Sequence, residues 1–240
     1  MSEAWSERST VGSLAGIDGI VVNSIAGIAQ TYLVASGGGQ VKTVRAASLG
    51  GTWATPGVLQ TNDTPVVDVA DEECYGVELG QRLSLASVGG GTVRLWYFDV
   101  GTWKQVGTVK NVYIPFGPPR WPALAVHPHT WRFFVAAWGG AKTIISTSPD
   151  RGASWHDGHD LDGTVWVAEV MGLQYPCLWC TEQTLYMIGY MPGAYRGAAG
   201  KCMLYEYEIG PDVASKGAGV TVGACDEGRP AIIMRPHSKI

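Results

Sequence analysis

The chain has 240 residues, of which 46% are hydrophobic and 16% charged, enough apolar material for a sizeable core and too little charge for a disordered chain. A formal charge of −4 without a local Lys/Arg cluster offers no footprint for a phosphate backbone, so nucleic acid is not an expected partner. No apolar run reaches the roughly 18 to 20 residues that cross a bilayer as a helix, and MSEAWSERSTVG at the start has neither a basic leader nor an apolar h-region, so neither membrane insertion nor a signal peptide is expected.

Thirty-three glycines and ten tryptophans suit many short strands joined by tight turns, with wide side chains filling gaps between packed sheets. Taken in chain order, three stretches share one plan: TYLVASGGGQVKTVRAASLGGTW from Thr31, RLSLASVGGGTVRLWYFDVGTW from Arg82, and RFFVAAWGGAKTIISTSPDRGASW from Arg132. Each holds an apolar β-type run, a Gly-rich turn, a second β run, a Gly-containing turn and a Trp that opens a third run. Those tryptophans are Trp53, Trp103 and Trp155, spaced 50 and 52 residues apart, and Trp5 lies 48 residues before the first. A proline-led apolar strand precedes each hairpin pair, at Pro65, Pro122, Pro176 and Pro230, with spacings of 57, 54 and 54.

Two independent markers with one period predict four strands per unit, the layout of a propeller blade. The expected fold is therefore all-β, a small β-propeller of four to five four-stranded blades in a single domain. Its units are residues 20–63, 64–118, 119–172 and 173–227, and a blade built from 1–19 and 228–240 is shared between the termini. That terminal blade lacks two middle strands, which leaves three explanations open: degeneracy, completion by a neighbouring chain, or a longer product. A β-sandwich or an irregular multi-hairpin domain with accidental repetition is the competing architecture.

In the third unit Ser148, Asp150, Gly152, Ser154 and Trp155 fit S-x-D-x-G-x-(S/T)-W. This resembles the Asp box of sialidase-like (BNR repeat) propellers, and SLGGTW at Ser48 and FDVGTW at Phe98 are incomplete versions in the equivalent place. The box is a folding device: the Asp150 carboxylate accepts N–H groups of its own turn, Gly152 takes a positive φ, and Trp155 packs between sheets. PRWPALAV from Pro119 is similar to the F/Y-R-I-P-A-L segment of sialidases, and the resemblance implies that Arg120 binds a substrate carboxylate. The aromatic before Arg is missing here, and Trp121 replaces the aliphatic. The three arginines, Tyr/Glu pair and acid Asp that such an enzyme uses have no placement in this sequence, so no catalytic residue is assigned.

Cys177 and Cys180 form a lone CxxC in a strand-like run, where residues three apart face opposite sides, and read as packing rather than as a metal or redox pair. His127 and His129 read as a polar strand end. His156, Asp157, His159, Asp160 and Asp162 are the densest group of potential ligands, with Asp157, Asp160 and Asp162 the weak candidates for a cation; no metal and no cofactor is assigned. Trp121, Trp131, Trp138, Tyr190 and Tyr195, with Arg120, are the candidate ligand-binding residues, because aromatic faces stack on sugar rings and on protein partners.

Asp-box propellers resemble domains of bacteriophage tail and fibre proteins, and the leading expectation is a non-enzymatic binding or assembly module of a virion. Its expected partners are other virion proteins within a larger assembly and a host-surface glycan, at a virion or extracellular location. The alternatives are a sialidase-like glycoside hydrolase and a carbohydrate-binding lectin.

Overall fold

The computed structural model describes residues 19–25, 30–37, 40–46, 57–60, 64–71, 83–89, 92–99, 102–109, 120–127, 129–130, 132–139, 142–155, 168–193, 200–210, 213–215 and 218–224. Among these every regular element is a strand, and the strands form four antiparallel sheets taken in chain order. The first sheet contains β1 (Gly19–Ile25), β2 (Gln30–Gly37), β3 (Gln40–Ala46) and β4 (Gly57–Gln60). In the second are β5 (Thr64–Asp71), β6 (Leu83–Gly89), β7 (Thr92–Asp99) and β8 (Thr102–Val109), and in the third β9 (Arg120–Val126), β10 (Phe133–Trp138), β11 (Lys142–Ser148) and β12 (Ala168–Met171). The fourth has β13 (Gln174–Cys180), β14 (Thr184–Met191) and β15 (Lys201–Ile209). Its outer edge is shared by β16 (Val213–Ser215) and β17 (Val220–Ala224), which pair with opposite ends of β15.

The leading strands of successive sheets lie against one another, β1 beside β5, β5 beside β9 and β9 beside β13, so the sheets stack face to face. The third sheet shows why its sequence has the pattern it has. Phe134 pairs with Ala125 and Ala136 with Ala123 across the β9–β10 ladder; these four side chains pack with Ile145 against Leu173, Leu178, Leu185, Met187 and Tyr207 of the fourth sheet's side. The alternating residues Leu124, Phe133, Val135 and Ala137 face the other way, into Ala86, Val88, Val93, Leu95 and Val109 of the second sheet. A strand covered on both faces has no polar side to show, hence the unbroken apolar run FFVAA. Removing such side chains from water is worth about 1.5–3 kcal/mol for each large one.

Polar groups tie the third and fourth sheets together at both ends. Arg132 donates from Nε to Thr147 Oγ1 at 2.8 Å and from its guanidinium to the carbonyl of Gly210, while its planar head lies over the Phe134 ring. Thr143 Oγ1 donates to the carbonyl of Leu173 at 2.6 Å.

The outer strand of the third unit departs from expectation. Trp155 does not open it; β12 begins at Ala168 and pairs with the first half of β11. Trp155 is instead buried between the second and third sheets. Trp103 does lie in an outer strand, opposite Phe98 in β8, whereas Trp5, Trp53 and the proposed terminal strands of 1–18 and 228–240 are outside the described residues.

Candidate functional site

Antiparallel register gives each sheet two ends with different chemistry. At one end stand the starts of β9 and β13 and the finishes of β10 and β14, since Arg120 pairs with Trp138 and Gln174 with Tyr190. Both leading strands carry an extra residue there, shown by register shifts between Ala136 and Trp138 and between Gln174 and Cys177. The extra residues are Trp121 and Tyr175, each immediately before a proline and each in the left-handed region, with φ of 51° and 50°. Proline disfavours the right-handed α conformation in the residue before it, and a bulge supplies the kink that turns the side chain. A bulky residue at positive φ is a true outlier.

The two bulges bring their rings together. Trp121 stacks on Tyr175 with centroids 3.9 Å apart and on Trp138 with centroids 4.9 Å apart, so an aromatic stack links the third sheet to the fourth. All three side chains are half-buried. The Trp138 Nε1–H is buried and has no hydrogen-bond acceptor among the described residues. Tyr190 finishes β14 at the same end, and its ring occupies the space a side chain at Gly200 would need.

The opposite end is polar and carries a hydrogen-bonded histidine pair. His127 is buried, and its Nδ1 accepts the backbone N–H groups of His129 at 3.1 Å and Thr130 at 3.2 Å. The ring proton therefore sits on Nε2, which donates to the Glu182 carbonyl at 2.9 Å. His129 Nε2 meets the Glu182 carboxylate at 2.7 Å. With both nitrogens of His127 committed, this cluster is a clasp between the β9–β10 and β13–β14 turns, and no group of three metal-binding side chains occurs among the described residues.

Also at this end is the turn from Ser148 to Trp155. Asp150 accepts the Ser154 N–H at Oδ1 (2.8 Å) and the Ser154 hydroxyl at Oδ2 (2.6 Å), and Ser148 Oγ donates to Oδ1 at 2.9 Å while accepting the Gly152 N–H at 2.7 Å. Trp155 Nε1 donates to the Gly152 carbonyl at 3.1 Å. Gly152 has φ of 86°, and a Cβ there would run into Leu95 of the second sheet. An extra residue in β8, Val106, lies beside the same spot. Burial raises the Asp150 carboxyl, and its hydrogen bonds from Ser154 and Ser148 lower it further than burial raises it, leaving it below the ordinary value of 3.8.

The candidate residues therefore separate. Trp121, Trp138 and Tyr190 gather at the starting end of the leading strands, and Arg120 opens β9 there. Trp131, Tyr195, Asp157, Asp160 and Asp162 lie outside the described residues. Cys177 and Cys180 face opposite sides of β13, with Cys180 against the buried cluster, and the Cys180 thiol is pushed up to about 12 by burial, with Arg132 acting in the opposite sense. Tyr175 was not anticipated. Its signal was present in its place before Pro176, equivalent to that of Trp121 before Pro122.

No family model matches the chain, and no curated protein matches it by sequence. Solved structures do resemble it. They include a variant of the NanB sialidase from Streptococcus pneumoniae (TM-score 0.51, 12% identity, covering 77% of this chain and 29% of that one). A second is GH43B of the Bacteroides ovatus xyloglucan PUL (TM-score 0.53, 13% identity, 94% and 47%). A third is an exo-β-1,3-galactanase from Phanerochaete chrysosporium (TM-score 0.50, 10% identity, 85% and 50%). These are β-propeller proteins, and the chain spans half or less of their length. They overturn the expectation of a non-enzymatic phage tail or fibre module: the fold is shared with glycoside hydrolases and nothing in it points to a virion.

Proposed function

We propose that the chain is a carbohydrate-active protein of glycosidase type, a small β-propeller whose sugar site lies where β9 and β13 begin. The observation that carries this reading is the stack of Trp121, Tyr175 and Trp138, two of whose members are held at positive φ. Strained backbone of this kind costs on the order of 1–3 kcal/mol and is retained where function uses it. Aromatic faces suit the C–H faces of pyranose rings, and the buried Trp138 Nε1–H, which has no acceptor among the described residues, is a donor that a ligand oxygen could satisfy, an unmet buried donor costing about 1–3 kcal/mol. Arg120, next to Trp121, is the cation nearest in sequence for an acidic sugar. The glycoside hydrolases with a similar fold, a sialidase and GH43 enzymes among them, support the same class of ligand.

The test is a panel of chromogenic sialosides, xylosides, arabinofuranosides and galactosides, run beside glycan binding by calorimetry. Turnover of one class is expected, with Trp121→Ala and Tyr175→Ala each raising KM or Kd about tenfold, a loss of about 1.4 kcal/mol. Arg120→Ala weakens an acidic ligand selectively. Absence of both turnover and glycan binding across the panel defeats the proposal.

A further inference from the structure

The third sheet is buried on both faces, but the fourth turns a half-exposed face away from it, apolar across its middle and carrying the exposed Glu206 and Glu208 toward the end of β15. Its inward residues are Leu178, Leu185, Met187 and Tyr207, so strand alternation turns their neighbours outward. Register aligns Cys177 with Ile188, Ile188 with Leu204, and Leu204 with Val220, an apolar row across β13, β14, β15 and β17. Trp179 pairs with Tyr186 beside it, with ring centroids 5.5 Å apart. Val220 is 62% exposed.

We infer that this face is a docking surface for the chain's own segment 230–234, seated through Ile232 and Met234. Three times the chain leaves an outer strand and returns as a proline-containing leading strand beside the previous sheet's leading strand: β4 to β5, β8 to β9 and β12 to β13. After β17 the next such sequence is Pro230-Ala-Ile-Ile-Met, six residues past Ala224. The facing is specified as well. The second and fourth residues after Pro122, Leu124 and Val126, pack toward the preceding sheet, as do Leu178 and Cys180 after Pro176. Applied to Pro230, the same rule turns Ile232 and Met234 toward Cys177 and Trp179, and Ile233 away.

Residue-resolved alkylation of the full chain, read by peptide mass spectrometry, tests the register. Ile232→Asp is expected to speed labelling of Cys177 at least about tenfold, because a buried carboxylate expels the segment. Ile233→Asp is expected to leave it within about twofold, and Cys180, on the inward face, stays slow in both. Equal effects of the two substitutions, or no effect of Ile232→Asp, overturn the inference. If Ile232→Asp also unmasks Cys180, the sheet itself has opened and the unsubstituted chain decides. Thermolysin then cuts the Ala231–Ile232 bond at least about tenfold more slowly than in the free peptide 226–240, at every protein concentration. Cleavage as fast as in the peptide, or protection that rises with concentration and so reports a second copy, overturns it equally.

Discussion

Asp150 stabilises its turn from an exposed position, by collecting a backbone N–H and two hydroxyls on two oxygens. Asp150→Ala is expected to lower stability by about 1 kcal/mol, the size of a modest net hydrogen-bond loss, measured by urea unfolding. Because the folded carboxyl lies below its ordinary 3.8, its contribution is complete above that pH and is lost as the pH falls through the lower folded value. Stability of the Asp150→Asn variant should accordingly decline less steeply below about pH 4 than that of the parent. Gly152 is constrained twice, by φ of 86° and by Leu95 where a Cβ would stand. Gly152→Ala should cost about 1–3 kcal/mol, and an unchanged urea midpoint would count against the packing described for this turn.

At the scale of the strand, burial on two faces separates β9 and β10 from β17. Phe134 is fully buried between sheets, and Phe134→Ala should destabilise by about 3–5 kcal/mol through lost transfer energy and a residual cavity. Val222 is 52% exposed at an extra residue of β17, and Val222→Thr should change stability by less than about 0.5 kcal/mol. Chemical denaturation of the two variants side by side checks both. The apolar runs and Gly-rich turns made these strands legible in the sequence, because a two-residue period and tight turns are local properties. The displacement of the outer strand from Trp155 to Ala168 was not legible: whether a Trp enters a ladder or the gap between sheets depends on the neighbour across the gap.

Across the whole molecule, the stacked sheets exclude water from groups that would otherwise react. The Cys180 thiol, pushed up to about 12 by burial, is almost entirely protonated at pH 8, and the thiolate is the reactive form. Iodoacetamide should therefore label Cys180 in the native protein at least about a hundredfold more slowly than in urea, and equal rates would show that the third and fourth sheets do not enclose it. The same stacking creates the aromatic site, since Trp121 and Tyr175 belong to different sheets and meet only when β9 lies beside β13.

Alternation of apolar residues, glycine at turns and the repeated proline and tryptophan were enough, from the sequence, to predict the antiparallel strands that the described residues form, because these features act over a few residues. They also marked Trp121, Trp138 and Tyr190 as candidates. Only the tertiary structure decided that Trp121 joins Tyr175 in one stack, that Trp155 fills a gap instead of starting a strand, and that His127 is a clasp. Each of those outcomes rests on contacts between residues far apart in the chain, whose distances and dihedral angles no local pattern encodes.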